Sequence, residues 1–221
     1  MQRTHAVSGL TALLIPFALL DVAGCSGLLH STAQSPQLYV LQTPVVAAPT
    51  AASGAQSPAP TLRIARPLAA PGLNTDRIAL MRPGNRLDYY AGARWSAPLG
   101  EVVSDLQMSV FRADPAWSAV VDERSALNVD YVLQTSIIGF AAEYATESGV
   151  PQVLVQLQCL VSRRSDGALL GSFAVTQAQP AAQNRMSDVV AAFSMAAGKA
   201  VSAAAVQADQ LLRSAKSPAA P

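Results

Sequence analysis

The residue best placed to do chemistry in this sequence is Cys25, which closes the run Val22-Ala23-Gly24-Cys25. One aliphatic and two small residues let a peptidase reach the backbone between Gly24 and Cys25. The thiol at the new N-terminus is then the nucleophile that takes a diacylglyceryl thioether, as in a bacterial lipobox. An ordinary signal peptide with a chance Cys is the alternative, and the preceding residues weigh against it. Arg3 supplies a positive charge, and Leu10–Leu20 form an eleven-residue apolar run. That is an export-signal pattern, too short for the about 20 residues of a membrane span. With each buried methylene contributing about 0.8 kcal/mol, the acyl chains on Cys25 make a permanent anchor. Ser26 rather than Asp follows the Cys, which favours the periplasmic face of the outer membrane.

Other chemistry is scarce. The only histidines are His5 and His30, and the chain has two cysteines, which leaves little for a metal site or for Ser–His or Cys–His catalysis. Asp122-Glu123 and Glu143 with Glu147 are carboxylate pairs in polar turns, read as solvated loops rather than acid/base sites. Ala197-Gly198-Lys199-Ala200 lacks the earlier Gly and the following Ser/Thr of a phosphate loop and lies inside a helical pattern. Cys159 is an odd thiol in an oxidising compartment. It alternates with Val153, Val155, Leu157 and Val161, as a buried small hydrophobe would. Arg94 beside Trp95 either anchors a phosphate or a ring or packs where a helix begins, and packing is favoured. Tyr89 and Tyr90 alternate across a strand, so at most one is core and the other is free for a surface interface. The expectation is a protein that is not an enzyme, with no catalytic residue, no metal and no cofactor beyond the lipid on Cys25.

The elements that hold these residues follow from periodicity. The chain has 221 residues, of which only 13% are charged, with a net charge of +1; soluble domains average about 25% charged. That balance gives no reason to bind nucleic acid. Residues 1–24 read as the signal peptide and 25–36 as a lipidated tether reaching about 36 Å. A single domain occupies 37–213, with an uncharged insert at 43–60 carrying four Pro and six Ala, expected to be a mobile linker. Residues 214–221 are expected to be a disordered tail. Short strands are expected at Gln37–Gln42, Leu62–Pro67, Arg77–Met81 and Leu87–Tyr90. A helix opens at Ser96 or Pro98 and ends at Asp114-Pro115, with Leu99, Val102, Val103, Leu106 and Val110 on one face. Val129–Phe140, Pro151–Val161 and Leu169–Gln177 alternate as an antiparallel meander, with Leu169, Phe173 and Val175 sharing a face. Met186–Arg213 forms a helix of about 40 Å. The fold class is α/β (α+β): a mostly antiparallel sheet with two helices, the second long and C-terminal, behind a flexible lipidated tether.

At Asp88–Leu99 the chain reads Asp-Tyr-Tyr-Ala-Gly-Ala-Arg-Trp-Ser-Ala-Pro-Leu. This resembles the signature of the ABC-type transport auxiliary lipoproteins, which include the paraquat-inducible C-type lipoproteins. In that family a Tyr-rich strand runs into an Arg-Trp-x-x-Pro-Leu segment, matched here by Tyr90, Arg94, Trp95, Pro98 and Leu99. Tyr39-Val40-Leu41, Arg63–Pro67, Arg77–Met81 and the meander-then-helix ending also agree, so the resemblance spans about residues 37–212. The 43–60 insert departs from the pattern. The resemblance implies a system that moves lipids or organic compounds across the cell envelope. Its implied partners are an ABC ATPase, a permease and a mammalian-cell-entry (MCE) type substrate-binding protein, with membrane contact through the lipid anchor. Homo-oligomerisation is compatible with it. The alternative is an outer-membrane assembly or pilotin-like scaffold with no transport role.

Overall fold

The computed structural model describes residues 35–42 and 59–216. Gly24 and Cys25, the signal peptide, most of the tether and residues 43–58 of the insert lie outside them. In chain order the elements are β1 (Gln37–Tyr39), β2 (Thr61–Ile64), β3 (Leu68–Ala69), β4 (Arg77–Arg82), β5 (Arg86–Trp95) and α1 (Leu99–Arg112). They continue with β6 (Ala119–Asp122), β7 (Tyr131–Glu143), β8 (Gln152–Arg163), β9 (Leu169–Pro180) and α2 (Met186–Lys216).

One mixed sheet is organised around β7. Along one edge, β7 takes β2, β3 and β4 in succession, all parallel, at Tyr131–Leu133, Ser136–Ile137 and Ala142–Glu143. Its other edge pairs antiparallel with β8, and β8 with β9. β5 and then β1 lie beyond β4, and β6 lies beyond β2. The long ladders are antiparallel, as expected. The short parallel pairings arise because the chain from β2 to β4 advances along β7 in its own direction.

Both helices contribute to a single core with this sheet. The α1 stripe Leu99, Val102, Val103, Leu106 and Val110 is buried throughout. Glu101 in its first turn and Arg112 in its last complement the helix dipole. Along α2, Val189, Phe193, Ala197, Val201, Ala204 and Ala208 are buried together with Ala192, Ala196 and Ala200. α2 is long and apolar enough to cross a membrane by length and composition, but most of that surface is already covered by the domain. An alanine surface lets its backbone approach the sheet closely. Close approach is also built in at Gly100, where a Cβ would lie 2.7 Å from the Pro67 carbonyl oxygen. In an unconstrained helix Gly→Ala gains about 1 kcal/mol. Because backbone cannot yield as a side chain can, Gly100→Ala is expected to lower the melting temperature; a rise in a thermal melt would contradict that packing.

Several expectations need correction. The strand expected at Leu87–Tyr90 extends from Arg86 to Trp95, because β1 pairs with it at Ala93–Trp95 and β4, past a register shift, meets it again at Arg94. β3 and β6 were not expected; two- and four-residue strands carry too little period to register. The first helix needs none: of the two starts offered, Pro98 is the N-cap, and α1 ends at Arg112, just before Asp114-Pro115. Leu169 does not share the buried face with Phe173 and Val175 but is 59% exposed. A register shift between Val161 and Ser162 of β8, opposite Gly171 and Leu169, flips its side. The expected tail is helical through Lys216; 217–221 lie outside the described residues.

Candidate functional site

Four of the motif residues, Arg94, Trp95, Pro98 and Leu99, converge on one junction. The Arg94 Nη1 donates to Asp76 Oδ1 and Oδ2 at 2.8 and 3.0 Å, while Trp95 N donates to the Asp76 carbonyl at 2.7 Å. Leu99 N, at the start of α1, donates to the Thr75 carbonyl at 3.0 Å. Thr75-Asp76 therefore caps a helix whose N-cap, Pro98, makes no side-chain cap bond. Ser96 N donates to the Tyr39 carbonyl at 2.9 Å, and β1 runs parallel to β5 at Ala93–Trp95. The motif thus clamps the first described strand after the tether onto the core. Arg94 pairs with Asp76 at the helix start. Thr75 and Asp76 are the functional partners that sequence reasoning missed; a single Asp before a strand carries no pairing signal.

Tyr90 belongs to a second chain of contacts. Its hydroxyl lies 2.8 Å from that of Tyr144, which donates to Asn184 Oδ1 at 2.8 Å, tying β5 to the loop after β7 and to the approach to α2. Tyr89 points the other way: its hydroxyl donates to the Gly72 carbonyl at 2.7 Å, and the Arg77 guanidinium sits 3.7 Å over its ring. Burial, then the Tyr144 hydroxyl, pushes the Tyr90 phenol far above the ordinary tyrosine value of 10.0. An unfolded tyrosine ionises near pH 10, whereas folded Tyr90 keeps its proton. The stability this group supports is full below about pH 10 and is lost as pH rises beyond it. Tyr90→Phe is expected to raise the alkaline unfolding midpoint. Phenolate absorbance should show Tyr90 ionising only with unfolding; early ionisation would refute its burial.

The remaining candidates are structural. Glu147 pairs with Arg82 and Arg86. Asp122 and Glu123 border a cleft of about 340 Å³ with Arg66, Glu101, Asp105 and Arg124; Arg66 pairs with Glu101 and Arg124 with Asp122, so four carboxylates face two guanidiniums and the cleft carries a net negative charge. Lys199 lies within α2 and donates to Gln179 Oε1 at 3.0 Å, which is incompatible with a phosphate loop. Cys159 is fully buried beside Thr135, which accepts a hydrogen bond from the buried Gln107 amide at 2.8 Å. Burial pushes the Cys159 thiol up, so it stays protonated and inert. Among the described residues no group of three or more His, Cys, Asp or Glu is placed to hold a metal.

What the fold does offer is surface. The face of the β7–β8–β9 meander away from the helices is open, with Gln134, Ile138, Gln158, Ser172, Ala174 and Thr176 exposed. From Glu143 to Arg163 along these strands it carries no charged side chain. A bulge between Ile137 and Gly139 leaves Ile138 56% exposed beside an apolar cleft lined by Leu73, Met81, Leu87 and Leu154. The cleft holds about 200 Å³, below the ~300–1,000 Å³ of small-molecule pockets. It suits a protruding side chain of a docked partner, not an engulfed lipid.

A family model described as "ABC-type transport auxiliary lipoprotein component" matches residues 39–205. No curated protein sequence matches the chain. Protein XCC0632 from Xanthomonas campestris, of the DUF330 family, is similar in structure, with a TM-score of 0.66 at 21% identity over 84% of this chain and 98% of that one. An uncharacterized protein shares the fold with a TM-score of 0.62 at 12% identity, over 79% of this chain and 99% of that one.

Proposed function

This chain belongs to the ABC-type transport auxiliary lipoprotein component family, and on that premise we propose that it is the lipid-anchored, non-enzymatic subunit of an MCE-linked system moving lipids or organic compounds across the cell envelope. The observation that carries this reading is the family match over residues 39–205 directly downstream of the Val22–Cys25 lipobox. Acylated at Cys25, the domain sits at the periplasmic face of the outer membrane. The clamp of β1 onto β5 transmits the position of the tether to the folded body. The uncharged open sheet face supplies docking area for the MCE-type protein, while the permease and ATPase do the energy-coupled work. No bond is made or broken on this subunit, and it needs no cofactor apart from its own lipid.

Co-purification of the full-length lipoprotein from native membranes tests this, with proteins and lipids identified by mass spectrometry. Recovery of an MCE-type protein with its permease or ATPase is the expected result. Recovery of an outer-membrane assembly complex instead would favour the scaffold alternative and overturn the transport role.

A further inference from the structure

We infer that the cavity where β7 begins and β8 ends, beside Arg163 and Arg164, is a binding site for the phosphate ester of a polyol, the chemistry of a glycerophospholipid headgroup.

Arg163-Arg164 is the only place in the sequence where two Lys or Arg residues adjoin. The sheet carries this pair to the start of β7. Arg163 lies opposite Tyr131 in the ladder, and Arg164 N donates to the Asp130 carbonyl at 2.8 Å. Asn128, Tyr131, Arg163, Arg164 and Ser165 line a cavity there of about 450 Å³, together with Val129 and Asp130. That volume falls within the ~300–1,000 Å³ of small-molecule pockets. Two guanidiniums against the one carboxylate of Asp130 make the lining net positive, opposite in sign to the cleft at Asp122 and Glu123.

The donors gathered here have no acceptor. Among the described residues every other arginine has its guanidinium engaged by a carboxylate, a backbone carbonyl or an aromatic ring, and Arg164 alone does not. Tyr131 is likewise the one tyrosine whose hydroxyl makes no hydrogen bond. Its ring meets Trp117 edge-on at 6.2 Å, and the buried Trp117 Nε1 also lacks a partner. A single unpaired arginine on a surface would signify little. Here the backbone around it is already fixed. Asp130 Oδ2 accepts from Thr61 N and Oγ1, both at 2.8 Å, and Arg163 Nη1 donates to Asp166 Oδ2 at 3.0 Å. Preformed walls lower the ordering cost of binding.

An anion with several oxygens satisfies this set. The Arg164 fork matches two phosphate oxygens, and the Tyr131 hydroxyl can donate to a third. A bare phosphate would leave the exposed Asn128 amide and Ser165 hydroxyl to water. A hydroxylated substituent on the phosphate reaches them. Val129 is the one aliphatic residue of the lining, so acyl chains find nothing to hold and only a headgroup enters.

Binding is read on the lipoprotein alone, so it can fail independently of the co-purified partners that test the transport role. The mature, acylated full chain in a maltoside detergent is titrated calorimetrically with glycerophosphoglycerol, inorganic phosphate and glycerol. The ester should bind saturably and more tightly than phosphate, and glycerol should not bind. Arg164→Ala should weaken the ester about tenfold to a hundredfold, and Tyr131→Phe about threefold to tenfold. Arg164→Lys keeps the charge without the fork and should fall between wild type and Ala. Arg185→Ala, beyond the far end of β9, should change nothing. Phosphatidylglycerol in mixed micelles then separates the sources. Lipid binding with the same Arg164 dependence supports the site and makes its ligand a membrane headgroup; binding of the soluble ester alone supports it as a site for a free polyol phosphate. No binding by the wild type, phosphate bound as tightly as the ester, binding that Arg164→Ala leaves intact, or an equal loss in Arg185→Ala overturns the inference.

Discussion

Replacing Trp95 by Ala is expected to cost about 3–5 kcal/mol, the range for emptying a buried large aromatic site. Trp95 is 1% exposed and meets Phe140 and Phe193 edge-on at 6.0 and 5.3 Å, while those two rings stack at 5.1 Å. The three aromatics come from β5, β7 and α2, so the cavity would open where the sheet meets the C-terminal helix. The surrounding elements cannot collapse into it: β5 is held by Asp76 and β7 is fixed by strands on both edges. Most small domains have only about 5–15 kcal/mol in total, so the variant should melt far earlier or fail to accumulate. Denaturant unfolding of a soluble domain beginning near Gln37 measures the loss, with Trp95→Phe, which retains an aromatic ring, recovering part of it. An unchanged midpoint would mean the ring is not packed in the core.

Cys25→Ala should have the largest effect in the cell, and it acts on location rather than stability. A single acyl chain binds membranes only marginally, with an association constant of about 10⁴ M⁻¹, and stable anchoring needs at least a second signal. The described domain supplies no such signal, since the apolar surface of α2 is mostly covered and the chain carries a net charge of only +1. Without the thiol neither lipid transfer nor the cleavage that follows it can occur. Membrane fractionation should find an uncleaved precursor or a soluble periplasmic form in place of the membrane-anchored protein. A normally processed variant in the outer-membrane fraction would sink the lipobox assignment.

The sequence by itself determined what depends on local period and on single reactive groups. A stripe at 3.6-residue spacing is enough to bury Leu99, Val102, Val103, Leu106 and Val110 on one side of a helix. Strict alternation is enough to bury Cys159 with its neighbours on β8. Cys25 stands on the chemistry of its own thiol and three preceding residues. The Arg94–Leu99 motif was legible as a helix start because Pro98 constrains the backbone locally. The tertiary structure alone decided which segments meet. Every extended residue presents the same N–H and C=O, so nothing local states that β7 takes β2, β3 and β4 along one edge. Nor does anything local assign Arg94 to Asp76, eighteen residues away. Leu169 shows the limit most directly: period two places it with Phe173 and Val175 until an extra residue in β9 itself, Leu170, shifts the register and turns Leu169 to solvent. That β9 pairs only with β8 among the described residues is likewise a tertiary fact, because strand pairing is a long-range choice among chemically equivalent backbones whereas burial period is written residue by residue.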